Sequence, residues 1–235
     1  MGDVNRLGAE LDAVLHLLDR QVLDVDGRMV CKVDDVEIVE TEDGLVLTGL
    51  LAGAAALVPR FGGRLGDRAL RYWRELGIEQ DDRTMPFRID LNDVERLGSA
   101  VELRVPRRGL LTRQRPQAGG LTHRRLNELM WMRVYGDGGT ELGNVIDVRV
   151  APSGEPERGA PLLVTGLVVG RGRPGSFLGY DRTPDQGPWA VNRVVRWLHR
   201  HSGLVGLAHV ARIDWDTDSI TLARGDLDHL TRTGA

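Results

Sequence analysis

With 235 residues, 41% of them hydrophobic and 28% charged, the chain has material for one large domain or for two of roughly 100 residues that each bury a core. Its net charge of -3 gives no reason to expect a polyanionic partner for the chain as a whole, and its single cysteine, Cys31, excludes an intramolecular disulfide. No window approaches the roughly 18 apolar residues of a membrane span and the N-terminal apolar residues are interspersed with charges, so the expectation is a cytoplasmic protein with neither a transmembrane segment nor a secretion signal.

At the N-terminus, Val4, Leu7, Leu11, Val14, Leu15 and Leu18 recur at steps of three and four, which predicts an amphipathic helix over residues 3–19. After Asp19 the period changes. Val22 and Leu23, then Val33, Val36 and Ile38, then Leu45 to Leu51 are apolar clusters separated by DVDG and TEDG turns, the pattern of a meander of short antiparallel strands. A Gly-rich loop, FGGRLGD, leads to a predicted helix around Trp73, and two short strands follow in DVERLGSAVELRV from Asp93. Next comes RRGLLTRQRPQAGGLTHRR, read as a linker; from Arg104 to Arg133 there are eight arginines and one acid, Glu128.

The same order of elements then returns. Gln21 to Ile38 aligns without a gap on Arg133 to Val150, matching Val22 to Val134, Gly27 to Gly139, Val33 to Val145, Asp35 to Asp147 and Val36 to Val148. LVLTGLLAG from Leu45 recurs as LLVTGLVVG from Leu162, identical at five of nine positions. A second Gly-rich loop, a helix around Trp197 and the strands of RIDWDTDSITL from Arg212 complete the series. Five elements in one order indicate an internal repeat. Almost every basic residue is arginine, Lys32 being the only lysine, which reads as the codon bias of a GC-rich bacterium.

An apolar pair, a D-x-D-G turn and a strand ending in V-x-D-V, carried by VLDVDGRMVCKVDDVEI from Val22 and VYGDGGTELGNVIDVRV from Val134, resemble the PRC-barrel family. That family includes the cytoplasmic part of the photosynthetic reaction-centre H subunit and the C-terminal domain of a bacterial ribosome maturation factor. The second copy keeps the Leu142-Gly143-x-Val145-x-Asp147-Val148 phrase, whereas the first places Cys31 where the glycine should be. The resemblance implies a small, strongly bent sheet closed into a barrel in each copy, and short alternating strands with glycine at the corners suit a barrel filled by side chains. The expected fold is mainly β: two small PRC-barrel-like antiparallel β-barrels in tandem, each with an inserted helix, plus the N-terminal amphipathic helix. The expected boundaries are an N-terminal helix over 1–18, a first domain over 19–105, an Arg-rich linker over 106–122, a second domain over 123–225 and a tail over 226–235.

Several local patterns have plainer explanations than chemistry. Gly170 to Gly175 matches G-x-G-x-x-G, but Pro174 and the residues after it do not open a helix, so a strand-to-loop turn is the better reading. Asp214, Asp216 and Asp218 alternate as in a calcium loop, yet Ser219 and Gly225 stand where that loop needs Gly and Glu, which leaves a polar hairpin turn. His199 and His201 on a helix point about 200° apart and cannot share an ion, so with His209 they read as surface histidines. Cys31 lies in a predicted strand with no neighbouring histidine, and no nucleophile elbow is present. The expectation is a non-catalytic protein with no catalytic residues, metal or cofactor.

The inserted helices carry the candidate site. Leu65, Ala69, Tyr72, Trp73 and Leu76 form an apolar stripe beside Arg64, Arg68, Arg71 and Arg74; Val191, Val194, Val195 and Leu198 form another beside Arg193, Arg196 and Arg200. Each stripe can pack on its own barrel with the arginines solvated, or the two can form a basic, aromatic-bearing platform. The reading adopted is a protein-interaction or assembly scaffold whose candidate partner-binding residues are Arg68, Arg71, Trp73, Arg193, Arg196 and Trp197. The partner is another protein of unknown identity, with homo-oligomerisation left open. One alternative is an RNA-associated or ribosome-assembly factor binding through Arg107, Arg108, Arg113 and Arg115. A second is a peripheral adaptor at a membrane surface.

Overall fold

The structure, a computed structural model, describes residues 7–57, 85–113, 121–153, 161–170, 202–223 and 231–232. Over these residues the chain is mainly β, as composition and pattern predict. Two compact units form, one from Met1–Asn127 with Val150–Val164 and the other from Glu128–Arg149 with Thr165–Ala235.

The first unit begins with β1 (Leu11–Asp12) and a one-turn helix, α1 (Ala13–His16). The long helix expected over residues 3–19 is therefore not what the described residues form. A helix of this length is marginal without a packed face, because nucleation costs several fixed dihedrals for one hydrogen bond. Here tertiary burial takes precedence: Leu11, Ala13, Leu17 and Leu18 are buried, a set that does not follow one helical stripe. Asp19, in the left-handed region at φ 61°, turns the chain away immediately after α1.

A four-stranded sheet follows in the order β3-β2-β8-β7, from β2 (Gln21–Leu23), β3 (Met29–Lys32), β7 (Val94–Leu97) and β8 (Val101–Leu103). Beside it, β4 (Asp35–Thr41) pairs antiparallel with β5 (Gly44–Ala52). The second half of β5 pairs with β6 (Phe87–Asp90), and Val46 and Leu47 pair with Leu163 and Leu162. A short helix, α2 (Ala54–Leu57), follows β5. The core is aliphatic: Val22, Val33, Val36, Ile38, Leu47, Leu50, Leu51, Ile89, Leu97 and Val101 are each at most 2% exposed, and each such side chain contributes about 1.5–3 kcal/mol by leaving water.

The stretch read as a linker contributes two strands to this unit. β9 (Thr112–Arg113) pairs with β6, and β10 (Thr122–Arg125) lies antiparallel on β4. A one-turn helix, α3 (Leu126–Leu129), follows β10.

In the second unit β11 (Arg133–Tyr135) pairs antiparallel with β12 (Glu141–Pro152) and parallel with β16 (Ser219–Leu222), which pairs in turn with β15 (Val210–Asp214). β13 (Leu162–Gly170) pairs with β14 (Ser202–Gly206), and β14 with β17 (Thr231–Arg232).

The internal repeat extends to individual hydrogen bonds. Asp19 and Trp131, offset by 112 residues, both adopt left-handed φ, 61° and 71°. Their N–H groups donate to Val33 O and Val145 O, each at 2.8 Å, and the N–H groups of Val33 and Val145 donate back to Arg20 O and Met132 O, each at 3.0 Å. The predicted hairpin glycines Gly27 and Gly139 have φ 74° and 81°, as tight turns require. Asp35 and Asp147 are buried, and each accepts the N–H of the valine that follows, at 2.8 and 2.7 Å. Both β2 and β11 carry a bulge after the central valine, and a 3-10 turn, Leu91–Asp93 or Leu207–His209, leads into each final hairpin.

The repeated Thr-Gly-Leu phrase has a steric reason. A Cβ on Gly49 would lie 3.0 Å from Arg88 Nε and 3.2 Å from Ile89 O, and one on Gly166 would lie 2.9 Å from Val205 O. In both copies the glycine admits a close neighbouring strand, β6 or β14, while Leu50 and Leu167 fill the interior. The position where Cys31 replaces Gly143 explains a difference between the copies. Gly143 has φ 149° and its α-carbon faces Gly170 O, which an added Cβ would approach to 2.8 Å. There β12 runs unbroken, whereas β3 ends at Lys32 and Asp34 makes the join, its N–H donating to Leu51 O at 2.8 Å and its carboxylate accepting the Gly53 N–H at 2.7 Å.

Gly143→Ala is expected to destabilise the chain by about 1–3 kcal/mol, because backbone rather than a flexible side chain opposes the new atom. Urea unfolding followed by circular dichroism measures this, and an unchanged midpoint would contradict the close approach.

Candidate functional site

The strand order places polar and charged side chains from four strands of the first unit together. Glu37, on β4, sits in the otherwise apolar run Val36-Glu37-Ile38-Val39 and is 1% exposed. A carboxylate in that position must be matched by donors, since a lone buried charge would cost far more than the fold could supply. Arg88, on β6, donates its Nε to Glu37 Oε2 at 2.7 Å, and the Thr48 hydroxyl, on β5, donates to the same oxygen at 2.7 Å. His123, on β10, lies with Nδ1 3.2 Å from Glu37 Oε1. Arg88 also donates to Asp90 Oδ2 at 3.0 Å and to Thr48 O at 3.0 Å. The side chains of Arg88 and His123 are 25% and 29% exposed, so the cluster runs from a buried acid to a half-open rim. Burial pushes the Arg88 guanidinium towards losing its proton, but the hydrogen bonds it donates to Glu37 and Asp90, with their negative charge, outweigh this and hold its pKa above the ordinary arginine value.

Neighbouring contacts fix the same strand. Arg124 Nε donates to Glu40 Oε1 at 2.9 Å, Arg125 donates to Ala55 O at 2.8 Å, and the Asn127 N–H donates to Asp35 Oδ1 at 3.2 Å. Residues 123–127 are thus tied to the first unit by side chains as well as by the β10–β4 ladder.

Chemically, the Glu37 cluster is an ion pair with its oxygens committed to donors, which orders β4, β5, β6 and β10 against one another. In the second copy the equivalent of Glu37 is Arg149 and that of Arg88 is Leu204, so this Glu–Arg pair is not repeated there. Cys31 offers little nucleophilic chemistry: burial and the nearby Asp34 push its thiol up to about 11, leaving it protonated at neutral pH. Among the described residues no group of three or more His, Cys, Asp or Glu side chains could hold a metal ion. Asp214 accepts the N–H groups of Asp216 and Thr217 at 3.2 and 3.1 Å, so the alternating aspartates there form the expected hairpin turn. No helix among the described residues is long and apolar enough to cross a membrane.

Arg68, Arg71, Trp73, Arg193, Arg196 and Trp197 lie outside the described residues, as does Arg115. Of the other arginines considered for RNA, Arg113 is in β9, and Arg107 and Arg108 are exposed on a turn closed by the Leu110 N–H to Arg107 O at 3.2 Å. Asp24 anchors that turn. Its carboxylate accepts the N–H groups of Arg28, Asp26 and Arg107 at 2.8, 3.0 and 3.2 Å. Desolvation alone would push the Asp24 carboxyl up, but these three donors together hold it below the usual carboxylate value.

Pattern reading missed Glu37, Thr48, Arg88 and His123 because 51 and 86 residues separate Glu37 from Arg88 and from His123. A signal was present in the comparison of copies, where an acid in one strand stands opposite an arginine in its repeat. The chain matches no family model and no curated protein.

Glu37→Gln leaves Arg88 with Asp90 as its charged partner, so the expected loss is about 2–3 kcal/mol, below the roughly 3–5 of a fully buried broken pair. The double variant Glu37→Leu with Arg88→Leu, which copies the second repeat at one position, is expected to lose less than Arg88→Leu alone. Chemical unfolding of the set checks this, and strictly additive losses would contradict a coupled pair.

Proposed function

We propose that this chain is a non-catalytic protein-interaction or assembly scaffold built of two PRC-barrel-like domains. The observation that carries the reading is how the polar groups of the repeated frame are used. Buried or half-buried Glu37, Asp24 and Asp35 hold neighbouring strands, turns and backbone amides, and the space between strands is filled by aliphatic side chains. A frame of this kind fixes the loops that leave it. The segments after Gly53 and Gly170, which carry Trp73 and Trp197, differ in length and sequence between the copies, and binding residues concentrate on such segments when a rigid scaffold holds their ends. Arginine and tryptophan are residue types that carry interface energy.

A second reading, an RNA-associated factor, draws support from the exposure of Arg107 and Arg108 on an anchored turn. One experiment separates the two. The full chain is used to capture proteins from its native host with and without nuclease, beside the variant Arg68→Glu, Arg71→Glu, Arg193→Glu, Arg196→Glu. The scaffold reading expects a partner that survives nuclease and is lost with the variant. Capture abolished by nuclease favours RNA, and equal capture by the variant sinks the assigned surface.

A further inference from the structure

We infer that the two turns at one end of the four-stranded sheet, residues 24–29 and 105–109, form a docking tip for an anionic phospholipid surface. β2 and β8 run parallel, with Val22 opposite Val101 and Leu23 opposite Glu102, so the turns that leave them lie at the same end of the sheet. The Val25 N–H donates to Val105 O at 3.2 Å and the Arg107 N–H to Asp24 Oδ2 at 3.2 Å, which ties one turn to the other. Asp24, 3% exposed, also accepts the N–H groups of Asp26 and Arg28, so a single buried carboxylate organises the tip from beneath. A Cβ placed on Gly27 or Gly109 would meet nothing within 4 Å, and each glycine stands where its turn faces open space.

What the tip displays suits an interface that is both apolar and negatively charged. Val25 is 58% exposed and Met29 48%, two of the three exposed large apolar side chains among the described residues. Arg28 is paired with Asp26 at 2.8 Å and Arg104 lies 3.6 Å from Glu95, whereas the exposed side chains of Arg107 and Arg108 have no acidic partner among the described residues. Lipid phosphates complement these two arginines, and the boundary of the acyl chains takes up the two apolar side chains. RNA can use the arginines through its own phosphates, but it offers Val25 and Met29 little, since bases stack on aromatic rings and guanidinium planes. The corresponding turn of the second copy is built differently: Asp137, Thr140 and Glu141 stand where Val25, Arg28 and Met29 do, which presents acids to the same surface. The docking tip is therefore specific to the first copy.

Two double variants test it. Polar residues fill this turn in the second copy, so Val25→Ser with Met29→Gln is expected to fold, and Arg107→Gln with Arg108→Gln changes only exposed side chains; circular dichroism and the urea midpoint check both. The full chain and the variants are sedimented with vesicles of phosphatidylcholine alone and of phosphatidylcholine mixed with an equal amount of phosphatidylglycerol. The parent is expected to partition onto the mixed vesicles and not onto phosphatidylcholine, and less as salt is raised. An arginine near an anionic surface is worth about fivefold in partitioning, so the arginine variant is expected to lose about tenfold or more. The Val25→Ser, Met29→Gln variant is expected to lose about tenfold or more as well, through the apolar area it no longer buries. No partitioning, equal partitioning onto both kinds of vesicle, or partitioning unchanged in either variant overturns the inference. A single-stranded RNA retained by the parent, lost with the arginine variant and unaffected by Val25→Ser, Met29→Gln, with no vesicle binding, assigns the tip to nucleic acid and overturns it too. The vesicle assay needs only the chain itself, so its failure leaves the scaffold reading untouched, and failure to capture a native protein leaves the lipid result untouched.

Discussion

Each copy of the frame depends on one small hydrogen-bonded ring. After a single helical turn, Asp19 or Trp131 takes up left-handed backbone, gives its N–H to Val33 O or Val145 O, and receives the chain back when that valine donates to Arg20 O or Met132 O. A non-glycine residue in this region costs about 1 kcal/mol or more, so it persists only where the surroundings fix it. What the ring secures is the direction of β2 and β11. Each can then lie antiparallel to the strand that follows it and parallel to the last strand of its own copy, β8 or β16. That pairing joins residues about 80 apart and buries Val22, Val101, Val134 and Ile220.

On this common base, a few of the differences between the copies have visible structural consequences. Cys31 in place of Gly143 brings a Cβ to a position where the second copy lets two backbones meet, and the continuous strand of that copy becomes two in the first, joined through Asp34. Glu37 and Arg88, where the second copy has Arg149 and Leu204, form an ion pair in the first copy. The first copy thereby gains a polar tie from Glu37 to His123 of β10.

Much of the frame was legible in the sequence, and the reasons are local. D-x-D-G and Gly138-Gly139 announce turns because only a few residues accept φ above zero, and the alternation in Leu45–Leu51 announces a strand with one buried face. The repeat sharpened both, since a pattern read twice in one order is hard to produce by chance. The N-terminal helix failed for a physical reason: its 3.6-residue spacing was real, but a strand pairing at Leu11–Asp12 and the burial of Leu17 and Leu18 outweighed a weak local propensity. Glu37, Arg88 and His123 were illegible because their association is set by strand order rather than by spacing. The Arg-rich stretch looked like a linker since its prolines and glycines dominate composition, while the short strands Thr112–Arg113 and Thr122–Arg125 carry no periodicity long enough to detect.

The central claim is that one hydrogen-bonded frame is built twice. Native-state amide exchange, resolved by residue, tests it most directly at Asp19, Val33, Trp131 and Val145. The account predicts that all four amides exchange slowly, with Asp19 matching Trp131 and Val33 matching Val145 in protection. Protection in one copy with rates near those of an unfolded chain in the other would contradict it.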